Sequence, residues 1–209
     1  MSPAAVPAEI TRLPVGEPVV ALTFDAGSNA DGVPRILGTL QATGTPATFF
    51  VTGKWVDSYP EYARRIAAAY PVGNHTLSHP YLTRLPDPAV TDEISSGEAE
   101  IRKVTGRPAA PLFRFPYGDS DERTLHLAAR AGFTRCVRWT IDTLGWRGRS
   151  VSAGIVRERV LQALQPGAIV LMHVGSADDG STLDADALPA LIDEVRARGY
   201  RFVTVAETA

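Results

Sequence analysis

Short β-branched and apolar runs alternate along the chain with longer segments of helical period. Residues 18–24, Pro-Val-Val-Ala-Leu-Thr-Phe, read as a buried strand ending at Asp25. Val33, Ile36, Leu37 and Leu40 recur at helical spacing after Asp31, and Gly44 closes that helix. A second strand spans residues 47–51 and a helix residues 60–70. A short strand at 72–74 leads into Gly-Asn-His-Thr-Leu-Ser-His-Pro-Tyr, residues 73–81. Further on, the pattern predicts a helix over 88–104, a strand over 112–115, a helix over 121–131 and a strand over 133–139. A helix over 152–164, a strand over 168–172, a helix over 184–198 and a strand over 200–205 complete the chain.

Strand and helix alternate without a linker, a low-complexity block or an internal repeat. This predicts an α/β protein with parallel strands. In such folds catalytic groups sit on loops beyond the C-terminal ends of the strands. Asp25, Arg114, Asp142 and His173 fall at or just past predicted strand ends, and His75 and His79 follow one. These six side chains can converge on one rim.

The 209 residues suffice for one domain with a substantial core, assigned here to residues 18–209. Residues 1–17, rich in Pro and Ala at their start, read as a flexible leader, compatible with the mature end of a secreted chain. A net charge of −2 without a basic stripe argues against nucleic acid as a partner. The single cysteine, Cys136, excludes an internal disulfide and a cysteine-built zinc site, and reads as a half-buried strand residue. No apolar run approaches the ~18 residues of a membrane helix, and no protein partner is implied.

His75 and His79 stand four residues apart. On a helix that spacing places two side chains on one face, with Cβ atoms about 5–6 Å apart, close enough to grip one divalent metal. Surface histidines also reach this spacing by chance.

Thr23-Phe24-Asp25-Ala26-Gly27 resembles the Thr-Phe-Asp-Asp-Gly opening of the polysaccharide deacetylases, the NodB-homology group of carbohydrate esterase family 4. His75-Thr-Leu-Ser-His79 is similar to that family's His-Ser/Thr-x-x-His motif, and Arg114-Phe-Pro-Tyr117 to its Arg-x-Pro-Tyr motif. Trp139-Thr-Ile-Asp142 with Trp146, and Leu171-Met-His173, resemble its last two motifs. The set runs in the family's order over nearly the whole chain.

The resemblance implies a distorted (β/α) barrel and a divalent metal, commonly zinc, with cobalt or nickel as alternatives. It implies removal of acetyl groups from glycan, N-acetylglucosamine in peptidoglycan or chitin-like polymers first and O-acetylated xylan second, in a secreted or wall-associated protein. Asp25 takes the base position, His173 that of the proton donor, and His75 and His79 those of metal ligands. Arg114 would orient a carboxylate, with Asp142 pairing Arg114 or His173. Tyr117 would lend its backbone N–H to an oxyanion, and Trp139, Trp146 and Leu171 would line an acetyl-sized pocket.

Position 26 departs from the pattern. The family's second Asp is a metal ligand, and Ala26 has no donor atom. Asp31 could replace it, although Asp is also a favoured helix N-cap. Asp25 itself could join the histidines, or the site could be metal-poor and the chain a catalytically impaired glycan-binding homologue.

Overall fold

The computed structural model describes residues 8–175 and 179–207. Seven strands form one parallel sheet in the order β5-β4-β3-β2-β1-β7-β6: β1 (Val19–Ala26), β2 (Thr48–Val51), β3 (Val72–Asn74), β4 (Leu112–Phe113), β5 (Arg135–Cys136), β6 (Ile141–Asp142) and β7 (Ala168–His173). β8 (Arg201–Val203) pairs with Val19–Ala21 of β1, on the edge whose other half, Thr23–Ala26, is taken by β2. The sheet curls into the distorted (β/α) barrel that the motif order implied. Helices α1 (Val33–Thr43), α2 (Gly53–Ser58), α3 (Pro60–Ala69), α4 (Asp87–Thr105), α5 (Glu122–Arg130), α6 (Ala153–Ala163) and α7 (Leu183–Ala197) accompany the strands.

The alternation of β1 divides the core. Val20, Leu22, Phe24 and Ala26 join the large apolar cluster shared with the helices, whereas Ala21 joins a smaller cluster with Leu13, Phe50, Leu112, Val137 and Ile169 inside the barrel. Thr23 and Asp25, on the parity of Ala21, therefore point inward.

Several expectations are revised. Residues 133–139 do not form one strand: β5 is short, and β6 begins after Thr140. Helix α2, capped by Thr52 Oγ1 accepting from Trp55 N–H, was not anticipated, because its six residues are too few to display a period. Cys136 is fully buried rather than half-buried, and burial pushes its thiol up to about 12. Residues 1–7 of the expected leader lie outside the described residues. The stretch from Ile10 to Leu13 is tied down rather than flexible. Ile10 N–H donates to Cys136 O, Leu13 N–H to Gly167 O, and Leu13 is buried. This segment bridges the two ends of the open sheet.

Candidate active site

Arg114 lies fully buried inside the barrel, and every polar atom of its guanidinium is used. Nη1 donates to Asp25 Oδ1 at 2.6 Å, Nη2 to Thr23 Oγ1 at 2.9 Å and Arg138 O at 3.1 Å, and Nε to Val137 O at 3.1 Å. Its plane covers Phe50 at 4.1 Å. An arginine can be buried at this depth only when charge and donors are both met. Burial raises the Asp25 pKa, but Arg114 and the neighbouring imidazoles outweigh it, holding this carboxyl below the usual range. Asp25 is therefore an ionised carboxylate at the floor of the site. Arg114 orients a carboxylate as expected, and that carboxylate is Asp25, not Asp142.

The two-histidine segment is not a helix. Residues 75–79 form a turn in which Thr76 and His79 adopt φ of 71° and 64°. Such left-handed backbone is uncommon outside glycine and persists where surroundings over-determine it. Here α4 supplies them. Thr76 N–H donates to Asn74 Oδ1, whose amide donates to Ile94 O. Ser78 binds Glu93 through both its N–H and its hydroxyl, and Leu77 N–H donates to Glu93 O. Gly97 allows the approach, since a Cβ there would lie 2.7 Å from the Thr76 carbonyl carbon. The turn, rather than a helix face, brings the imidazoles together edge to face with centroids 4.7 Å apart.

His75 Nδ1 contacts Arg114 O at 2.8 Å, which assigns its proton to Nδ1 and leaves Nε2 bare, 3.4 Å from Asp25 Oδ2. Burial depresses the basicity of both histidines, and that of His79 falls to about 4. Both are neutral at pH 7, the form in which imidazole ligates metal.

Asp25, His75, His79, Tyr117, Trp139, Asp142, Trp146, Leu171 and His173 line one cavity of about 430 Å³ together with Gly27 and Ser28. Ten of the eleven sequence-derived candidates are thus brought together, counting Arg114 beneath Asp25. Asp31 is not among them. It is exposed and outside the cavity lining, and it is not the helix cap either, because α1 begins after Gly32. The chain turns here through Asn29, whose Oδ1 accepts from Asp31 N–H.

Tyr117 has φ of 61°, and its half-exposed ring stacks on Tyr81 at 3.9 Å and 11°. Arg84 lies 4.0 Å over Tyr81. Asp142 pairs with neither Arg114 nor His173: Oδ1 accepts from Leu144 N–H and Oδ2 from Trp146 Nε1. The carboxylate behind His173 is Asp184, with Oδ2 3.7 Å from Nδ1. For His173, burial lowers the pKa, but Asp184, Asp25 and Asp142 together raise it above the ordinary value.

Residues 12–136 match the sequence model of the polysaccharide deacetylases. This chain belongs to the polysaccharide deacetylase family. It is 36% identical to a peptidoglycan-N-acetylglucosamine deacetylase of Bacillus cereus, covering 92% of this chain and 68% of that protein. It is also 36% identical to a chitooligosaccharide deacetylase of a Bradyrhizobium species, over 87% and 86% of the two chains. Among solved structures, a peptidoglycan N-acetylglucosamine deacetylase superposes with TM-score 0.87 at 33% identity, over 95% of this chain and 91% of that one. A carbohydrate esterase family 4 pseudoenzyme from Bacillus anthracis superposes with TM-score 0.88 at 28% identity, over 97% and 69%.

The deacetylase motifs imply a metal with three protein ligands. His75 and His79 suit that role in tautomer and charge. Yet Ala26 packs in the apolar layer shared with the helices, Asp25 is engaged by Arg114, and Asp31 is elsewhere. Among the described residues no group of three or more His, Cys, Asp or Glu side chains is placed to hold a metal ion. The residues present supply two imidazoles and do not fit the complete three-ligand site.

Sequence reasoning missed Asp184, Glu93, Gly97 and Tyr81. Tyr81 stood beside the second histidine, but nothing in the chain's pattern joined it to Tyr117. The others lie in helices, where an acidic residue near the start or a glycine among polar positions carries no visible signal.

Proposed function

We propose that this protein hydrolyses acetyl groups on N-acetylated glycan, with N-acetylglucosamine units of peptidoglycan or chitin-like polymers as the substrate class. The observation that carries this reading is an ionised Asp25 beside His173 on adjacent strands, in register, in a cavity walled by Tyr117, Trp139 and Trp146. Asp25 is free of the usual defect of a buried base, because Arg114 fixes its position and keeps it ionised.

In this reading water binds against Asp25 and transfers a proton to it as the oxygen attacks the acetyl carbon. The Tyr117 backbone N–H donates to the oxyanion. The Tyr81 stack steadies the left-handed backbone that presents it. His173, whose basicity the surrounding carboxylates raise, passes its Nε2 proton when protonated to the leaving nitrogen, and the C–N bond breaks to give acetate and amine. Leu171, Trp139 and Trp146 enclose the methyl group. A divalent ion, where bound, would polarise the acetyl carbonyl. His75 and His79 are the residues that would contact one. A wall-polymer substrate goes with a secreted or wall-associated location. No described helix is long and apolar enough to cross a membrane.

A second reading is favoured by Ala26 and the incomplete ligand set: a catalytically impaired homologue that binds glycan without cleaving it. Acetate release from chito-oligosaccharides, peptidoglycan and acetylated xylan, with and without added Zn²⁺ or Co²⁺, separates the two. Release from the first two that disappears in Asp25→Asn supports the deacetylase. Release from xylan alone moves the assignment to an O-acetyl esterase. Glycan binding with no release under any condition establishes the impaired homologue.

A further inference from the structure

Asp184 is a buried carboxylate that the mechanism above does not use. It stands in the first turn of α7, only 3% exposed. Its Oδ1 accepts from the Thr143 hydroxyl at 2.7 Å and its Oδ2 from the His173 backbone N–H at 2.8 Å. The ring of His173 turns its Nδ1 toward the same Oδ2 at 3.7 Å, and among the described residues this buried nitrogen has no hydrogen-bond partner. A buried donor without a partner is costly unless a small movement satisfies it, and among the described residues the carboxylate paired with this nitrogen is Asp184.

Gly145 shows that the space was made for this group. A Cβ at position 145 would lie 2.5 Å from the Cγ and from both oxygens of Asp184. Gly145 is not among the glycines with positive φ, so its backbone does not require glycine; the carboxylate does. The loop after β6, the end of β7 and the start of α7 thus meet around one anion.

We propose that Asp184 is the positioning residue of His173, holding the imidazole with its proton on Nδ1 so that Nε2 is the nitrogen presented to the cavity. This inference rests on the reading of His173 as proton donor. Asp184 acts only through His173 and contacts no substrate. When Nε2 gives its proton to the leaving nitrogen, the neutral ring retains Nδ1–H toward Asp184, so neither ring flip nor tautomer change accompanies turnover. Asp25 on β1 and Asp142 at the end of β6 also act on this ring, but each is committed elsewhere, to Arg114 and to Leu144 with Trp146.

The test is Asp184→Asn. An asparagine can keep both anchoring bonds, because the Thr143 hydroxyl can accept from its amide while its oxygen accepts from His173 N–H. Expected results are a native circular dichroism spectrum and a kcat for acetate release lowered at least about tenfold, with KM within about twofold. In ¹⁵N-labelled protein the His173 side chain should show a protonated Nδ1 in the wild type and a mixed tautomer pattern in the variant. A kcat within twofold of wild type, or an unchanged His173 ¹⁵N pattern, overturns the proposal. Should Asp184→Asn not fold, Thr143→Val removes one anchor and keeps the charge, with the same expected and overturning results.

A relocation control adds a second arm. Asp184→Ala should lose kcat, and Gly145→Asp in the same chain should restore part of it by returning a carboxylate to the same space. No restoration, with His173 still in the wild-type tautomer in Asp184→Ala, refutes the positioning role. Wild-type protein that releases no acetate refutes the functional reading, while the ¹⁵N pattern still decides the Asp184 contact.

Discussion

Arg114 donates to Asp25 across 2.6 Å inside the barrel, and both side chains are buried. The pair links fold and chemistry: Asp25 needs the charge to stay ionised, and Arg114 needs the carboxylate to remain in the interior. Removing one partner strands the other. Arg114→Met should cost about 3–5 kcal/mol in chemical denaturation. Asp25→Asn keeps an oxygen to accept from Arg114 but removes its counter-charge, so it should also lose stability, by less than Arg114→Met, while lowering acetate release at least about 100-fold. A stable Arg114→Met protein would show that the interior tolerates an unpaired Asp25.

His79 sets an acid limit on stability. Its folded pKa of about 4 lies below the unfolded value of 6.5. Between these values the unfolded chain binds more protons, so stability is complete above about pH 6.5 and falls as pH drops toward 4. The contribution, discounted for partial exposure, is about 2 kcal/mol. Urea midpoints measured in chelator from pH 7 to 4.5 should fall for the wild type and flatten for His79→Gln. Equal slopes would place the acid sensitivity elsewhere.

Two imidazoles hold a divalent ion poorly without a third protein ligand. Dialysed protein should carry well under one equivalent of zinc by elemental analysis, and His75→Ala should weaken the residual binding by at least about tenfold. Stoichiometric zinc surviving dialysis would mean that Asp25 or an unassigned group completes the site.

Gly97 is the place where α4 meets the histidine turn. In Gly97→Ala the new methyl collides with the Thr76 backbone and Asn74 Oδ1, both within 2.8 Å. The expected cost is about 1–3 kcal/mol, with activity falling alongside as His75 and His79 shift. Unchanged activity in a destabilised protein would uncouple the turn from the chemistry.

Tyr81 braces Tyr117. Tyr81→Ala should remove about 0.5–1.5 kcal/mol of aromatic pairing and lower kcat/KM several-fold on oligosaccharide. Wild-type kinetics would leave the stack a purely structural role.

Much of this was legible in the chain itself. Strand and helix alternation gave the parallel α/β class, because the long central strands β1, β2 and β7 are apolar runs buried almost throughout, whereas the helices alternate buried and exposed positions. Strand ends gave Asp25, Arg114 and His173, because polar residues closing apolar runs must lie where the sheet stops. The order of five short motifs gave the family. What the chain could not show was which charge meets which. Whether Arg114 serves Asp25 or Asp142 depends on the inward parity of β1 and on the curl of the sheet. That His75 and His79 meet through a left-handed turn depends on Glu93, Asn74 and Gly97, brought there by α4. Asp31 lies six residues from Asp25 in sequence, but the chain turns at Asn29 and leaves it outside the cavity lining. Asp184 lay in an ordinary helix start until α7 packed against β7 and set it behind His173. Local pattern fixes where each side chain can point; packing between distant elements selects the partner that satisfies its charge.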